Sequence, residues 1–107
     1  MLVQERFFHV MSNANVKSRR YNGATTLVVG NYNGVAVSTA YCSLKDQFNR
    51  KVGRFTAECN TIWQSIALRD LPKYLAEVEC KVHNYKLEDV RFMIDDYNYA
   101  IKYFLPK

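Results

Sequence analysis

The sequence predicts an α+β fold, in which an antiparallel β-hairpin sheet comes first and helices follow to cover one of its faces. Two patterns carry this reading. Val35, Val37, Thr39 and Tyr41 alternate after the turn pair Asn33-Gly34, as a strand requires. Further along, apolar residues recur every three or four positions, as a helix requires. The chain has 107 residues, which fits one domain spanning 1–107. With 49% hydrophobic and 23% charged residues, the composition is that of a globular chain and argues against wholesale disorder.

The first strand is expected over residues 2–11, where Leu2, Val3, Phe7, Phe8, Val10 and Met11 cluster. Residues 12–23 turn polar and end on Asn22-Gly23, which reads as a turn pair. Strands are expected over 24–30 and 34–42, joined as a hairpin around Gly30-Asn31-Tyr32-Asn33-Gly34. A long helix is expected over 44–68. Ser43 and Asp46 approximate a capping box at its start, and Leu44, Phe48, Val52, Phe55, Cys59, Ile62 and Ile66 form its apolar stripe. Gly53 inside that helix costs about 1 kcal/mol against Ala, which suggests close backbone packing or the close approach of a ligand or partner there.

Asp70-Leu71-Pro72 restarts the chain, with Pro72 in a first-turn position. Over 71–84 two patterns compete. Leu71, Leu75, Val78, Val82 and Tyr85 have helical spacing, whereas Val78, Cys80 and Val82 alternate as in a strand. The helix is preferred, and Glu77 and Lys81 would pair along it. A last helix is expected over 87–104, with Glu88 and Asp89 in its first turn and Lys102 in its last. Tyr97, Tyr99, Tyr103 and Phe104 exceed what one helix face can bury. They point to a homo-oligomer interface through this aromatic helix.

The formal net charge is +5, and it is uneven. Residues 1–69 hold nine Lys/Arg and three Asp/Glu, whereas residues 70–107 hold six and seven. The excess gathers in the loop Lys17, Arg19, Arg20 and in the segment Lys45, Arg50, Lys51, Arg54. On a helix, Arg50, Lys51 and Arg54 form a basic ridge beside the apolar stripe. Such a ridge is either a solvated face or an anion site, since the planar guanidinium fits phosphate bidentately. Tyr21 follows Arg19-Arg20, and Tyr beside Arg suits base stacking with phosphate contact. The candidate anion-binding residues are therefore Arg50, Lys51, Arg54, Arg19, Arg20 and Tyr21.

Cys42, Cys59 and Cys80 are too widely spaced for a zinc or thioredoxin-type motif and read as buried thiols in a reducing compartment. His9 and His83 are the only histidines, and no local pattern places either beside a nucleophile. No glycine loop for phosphate is present. No cofactor, metal or catalytic residue is therefore expected. The first residues lack a signal-peptide pattern, and no stretch approaches the roughly 18 apolar residues of a membrane span, so a soluble, intracellular chain is expected.

The stretch from Cys42 to Ala57, with its Cys-x-x-Lys-Asp-x-Phe-x-Arg-Lys-x-Gly-Arg block, resembles small proteins of tailed bacteriophages, among them the Thoeris anti-defence sponges that sequester cyclic nucleotide signals. It departs from that pattern near Leu44, where a Pro is expected, and at Glu58-Cys59-Asn60, where an Arg is expected. The resemblance implies a phage anti-defence protein in the host cytoplasm. It would bind a cyclic nucleotide or other anionic ligand through Arg50, Lys51 and Arg54, with Asp46 capping the helix, Phe48 anchoring it and Gly53 permitting close packing. A nucleic-acid-binding protein and a protein inhibitor of a host defence enzyme are the competing readings.

Overall fold

The computed structural model describes residues 4–13, 15–31, 34–60 and 62–105. Four antiparallel strands stand in chain order: β1 (Gln4–Met11), β2 (Tyr21–Asn31), β3 (Gly34–Ser43) and β4 (Gln64–Ile66). Between β3 and β4 lies α1 (Arg50–Cys59). After β4 a short 3-10 turn, Leu68–Asp70, leads into α2 (Leu71–His83). The chain ends in a 3-10 turn at Leu87–Asp89, the single turn α3 (Val90–Met93) and a 3-10 helix over Ile94–Tyr103. The α+β class and the order of sheet before most of the helical structure are as the residue patterns indicate. Residues 2 and 3 of the expected first strand, and Tyr32 at the hairpin tip, lie outside the described residues.

The central hairpin pairs Val28 with Val37 and closes through Asn31 opposite Gly34. Alternation then sends side chains to two faces. On one face Phe8, Val28, Val35 and Val37 meet Leu71 and Leu75 of α2, with Ala100 and Phe104 beyond. Val10 and Ala24 meet Val78 and Val82 on the same side. On the other face Leu27 and Ala40 meet Ala57 of α1. The sheet is thus covered on both faces rather than one, and the middle strand β2 is buried from Gly23 to Val28.

The long helix expected over 44–68 is a correction. Among the described residues of that span, only Arg50–Cys59 is α-helical. Ser43 and Asp46 make a local turn instead of a cap, with the Asp46 N–H on the Ser43 carbonyl at 3.0 Å. Asn22 holds that turn by donating its side-chain N–H to the Asp46 carbonyl at 2.7 Å. Asn49 is the real cap, its Oδ1 accepting from the N–H of Lys51 at 2.9 Å and of Val52 at 3.3 Å. At the other end Asn60 takes an extended backbone and donates to the Thr39 carbonyl at 3.2 Å, which turns the chain back to pair β4 with β3. The apolar stripe that suggested one helix does not face the core, since Leu44, Val52, Phe55 and Ile62 are all exposed.

Asn22-Gly23 is not a turn. It lies within β2 at a register shift between Tyr21 and Gly23, and β2 begins at Tyr21 rather than at 24. The contest over 71–84 ends in a helix because α2 has two apolar sides. Leu71, Leu75, Val78 and Val82 face the sheet, while Ala76 and Cys80 face Val90. The second side supplies the apparent alternation. Asn84 ends α2 in the left-handed region at φ 58, its N–H on the Cys80 carbonyl. The last helix is broken into turns of different pitch. In its final stretch Ile94, Tyr97, Ala100 and Tyr103 recur every three residues and point inward, which matches a 3-10 repeat better than an α repeat.

The sheet closely approaches α1 at Gly53 and the segment before α1 at Gly23. A Cβ on Gly53 would run into the Thr25 hydroxyl, and one on Gly23 would lie 2.7 Å from the Phe48 ring. Gly53→Ala is therefore expected to destabilise the fold by about 1–3 kcal/mol through overpacking, despite the better helix propensity of Ala. Urea unfolding of the variant against the parent measures the difference.

Candidate functional site

The structure separates the two groups of basic residues predicted to bind an anion. Arg50, Lys51 and Arg54 lie on α1, exposed, on one face of the sheet. The loop carrying Arg19 and Arg20 docks on the other face, against the end of α2. There the Arg20 N–H meets the Val82 carbonyl at 2.8 Å, and the Asn13 N–H meets His83 Nε2 at 3.2 Å. His83 Nδ1 lies 3.1 Å from the Glu79 carbonyl, so Nδ1 donates and Nε2 accepts, and the ring locks loop to helix. Arg19 turns back on its own loop, 3.4 Å from the Val16 carbonyl. Tyr21 is half-buried, and its ring packs on Tyr41 at 4.7 Å instead of standing open for stacking.

Arg20 reaches a cleft of about 520 Å³ between β3, β4 and the second half of α2. This space exists because β4 pairs only with Val35, Ala36 and Val37, which leaves the edge of β3 open from Thr39 onward. Its walls bring together the cations Arg20 and Lys81, the rings of Tyr41, Tyr74 and Tyr85, the amides of Asn60, Gln64 and Asn84, and one carboxylate, Glu77. In place of the expected pair with Glu77, Lys81 sets its Nζ 5.8 Å over the Tyr41 ring. A hydroxyl chain supports the floor, with Thr26 Oγ1 and Thr39 Oγ1 at 2.8 Å and Thr39 Oγ1 and the Tyr74 hydroxyl at 2.7 Å. Burial, with the neighbouring Tyr74, Tyr21 and Glu77, pushes the Tyr41 phenol well above its ordinary range. Burial also raises Tyr74, against the opposing hydrogen bond from Thr39. Both rings are thus neutral phenols at physiological pH.

The sequence carried only part of this cleft. Arg20 was a candidate, whereas Lys81, Tyr41 and Tyr85 were absorbed into apolar or ion-pair patterns and Tyr74 had no signal of its own. The one available signal was Tyr41, which shares the face of Val37 and Thr39 by alternation.

A second cleft of about 500 Å³ lies on the opposite face, between β3 and α1, lined by Cys42, Asp46, Phe48 and Val52 among others. Arg50, Lys51 and Arg54 line neither of these two clefts. Phe48 sits edge-on to His9 at 6.2 Å, and His9 Nδ1 is 2.8 Å from Thr25 Oγ1. Of the cysteines, only Cys80 is buried, in contrast to the three buried thiols expected; Cys42 is half-exposed and Cys59 exposed.

The tyrosines of the last segment mostly face their own chain. The Tyr97 hydroxyl donates to Glu79 at 2.6 Å, Arg6 stacks over Tyr103 at 4.0 Å, and Phe104 is buried. Only Tyr99 among them is exposed, so the aromatic content is spent on covering β1 and α2. Among the described residues no helix is long and apolar enough to cross a membrane. No protein-family profile, curated protein or solved structure matches the chain.

His9 is held below the ordinary histidine value of 6.5, first by burial and then by Arg50 and Arg54. The unfolded chain therefore takes up this proton first. The contribution of His9 is constant above the unfolded value, and stability falls as pH drops through that value toward the folded one. Arg50→Ala and Arg54→Ala are each expected to raise the His9 pKa without restoring the ordinary value, because burial remains. Titration of the imidazole nitrogens by NMR checks both the direction and the residue.

Proposed function

We propose that this is a non-enzymatic binding protein that captures a phosphate-bearing, nucleotide-like ligand in the cleft between β3, β4 and α2. The observation that carries the reading is the meeting of Arg20 and Lys81 with three tyrosine rings and three side-chain amides in one concave space. Each class has a task in such capture. The cations take phosphate, a ring face takes a base, and the amides satisfy ring nitrogens and exocyclic groups. Because Tyr41 and Tyr74 stay neutral, they offer hydroxyl donors and do not repel an anion. Arg50, Lys51 and Arg54 line neither described cleft, so capture is assigned to the cleft that Arg20 and Lys81 share. The likeness of residues 42–57 to phage anti-defence proteins supports sequestration of a signal nucleotide as the biological use.

Isothermal titration calorimetry against mononucleotides, cyclic di- and trinucleotides and ADP-ribose derivatives tests this. Binding by at least one of them is expected, with Arg20→Ala and Lys81→Ala each lowering affinity about tenfold or more, as loss of a charge-assisted contact does. Arg50→Ala with Arg54→Ala is expected to leave it unchanged. Silence across the panel, or binding lost only in the ridge variant, overturns the assignment.

A further inference from the structure

Two surfaces remain that the cleft does not use, and they are complementary to each other. The first is the outer side of α1. Gly53 and Ala57 face the sheet, and Phe55 lies about 200° around the helix from Gly53, so its ring points straight into solvent. Phe55 is 67% exposed and Val52 59% exposed. Around them stand Arg50, Lys51 and Arg54 against the single acid Glu58, which gives α1 a net charge of +2. The second surface surrounds Phe92, 74% exposed, within residues 88–96. Around it stand Glu88, Asp89, Asp95 and Asp96 against the single base Arg91, a net charge of −3. Isolated exposed apolar side chains are ordinary on a protein surface. Here Val52 and Phe55 stand within charge of one sign, and Phe92 within charge of the opposite sign.

The two surfaces cannot meet within one chain. α1 packs on Leu27 and Ala40, whereas Val90 packs on Ala76 and Cys80 of α2, which covers the opposite face of the sheet. We propose that the Val52–Phe55 surface of α1 docks on the surface around Phe92 of a second copy, giving a head-to-tail assembly. Val52, Phe55 and Phe92 supply burial, and Arg50, Lys51 and Arg54 face Glu88, Asp95 and Asp96 of that copy. Because the contacting patches differ, each added copy presents one free patch of each kind, so the contact closes into a ring or continues as a filament. Its exposed charge pairs make it sensitive to salt within the range where the screening length drops below about 10 Å. This interface is independent of the cleft and requires no nucleotide.

Sedimentation velocity on the full chain, without nucleotide, tests it. The average mass is expected to rise with protein concentration at low salt and to return to monomer at high salt. Arg50→Glu with Arg54→Glu, and separately Asp95→Lys with Asp96→Lys, are each expected to stay monomeric while keeping the parent circular dichroism spectrum. An equimolar mixture of the two variants is expected to assemble again, since each reversed patch now fits the other. A parent that is monomeric at low salt and high concentration overturns the proposal. So does an assembly broken by the α1 variant but untouched by the Asp95 and Asp96 variant, which would mean a symmetric α1 contact. Binding of a DNA or RNA oligonucleotide by a monomeric parent, lost in the α1 variant, would assign the basic surface to nucleic acid instead.

Discussion

The burial of β2 on both faces is the constraint on which the rest of the molecule depends. From Gly23 to Val28 no residue of that strand reaches solvent, and the two sides of its pleat demand different covers. Ala24 and Val28 are met by α2 and the last helical segment, and Leu27 by α1. Thr25 and Thr26, both buried, have their hydroxyls matched by His9 and Thr39, so the polar atoms in this layer are satisfied across strands. A chain of this size has one modest core, and placing cover on both sides of one strand divides it into a larger cluster under α2 and a small one under α1.

That division sets what each face can do. α1 is held by a short contact at Gly53 and Ala57, and everything else on it is free to carry charge and apolar surface outward. On the other face, α2 is long and β4 is short, so the helix overhangs the open edge of β3 and leaves a cleft there. The loop 12–20 reaches that cleft only because His83 and Val82 at the end of α2 accept its backbone N–H groups. The basic residues that lie within one half of the sequence are thereby placed against opposite sides of the sheet. Lys81, from the nearly neutral half of the chain, joins Arg20 instead.

Legibility varied with how local each cause was. The hairpin of β2 and β3 was readable because its signals are neighbours, two strands of alternating or β-branched residues around Asn33-Gly34. The need for a glycine at 53 was readable as close packing, although its partner Thr25 was not. The helix over 44–68 was misread because helical spacing records periodicity without recording which side is buried. Leu44, Val52, Phe55 and Ile62 keep that spacing while facing water, and the break at Asn60 depends on a hydrogen bond to a strand 21 residues away. Asn22-Gly23 was misread for a related reason: the pair makes a turn when isolated but a bulge when Phe48 packs over Gly23.

By itself the sequence determined the class of the fold, the antiparallel hairpin, the restart of the chain at Asp70-Leu71-Pro72 and the concentration of positive charge before residue 70. These follow from propensity, alternation and composition, which act between near neighbours. The tertiary structure alone decided where α1 begins and ends, that the sheet is covered on both sides, and that Arg20 shares a cleft with Lys81 while Arg50, Lys51 and Arg54 do not. Those outcomes depend on which faces are buried against which. Burial is a property of contacts between residues far apart in the chain, and no local spacing encodes it.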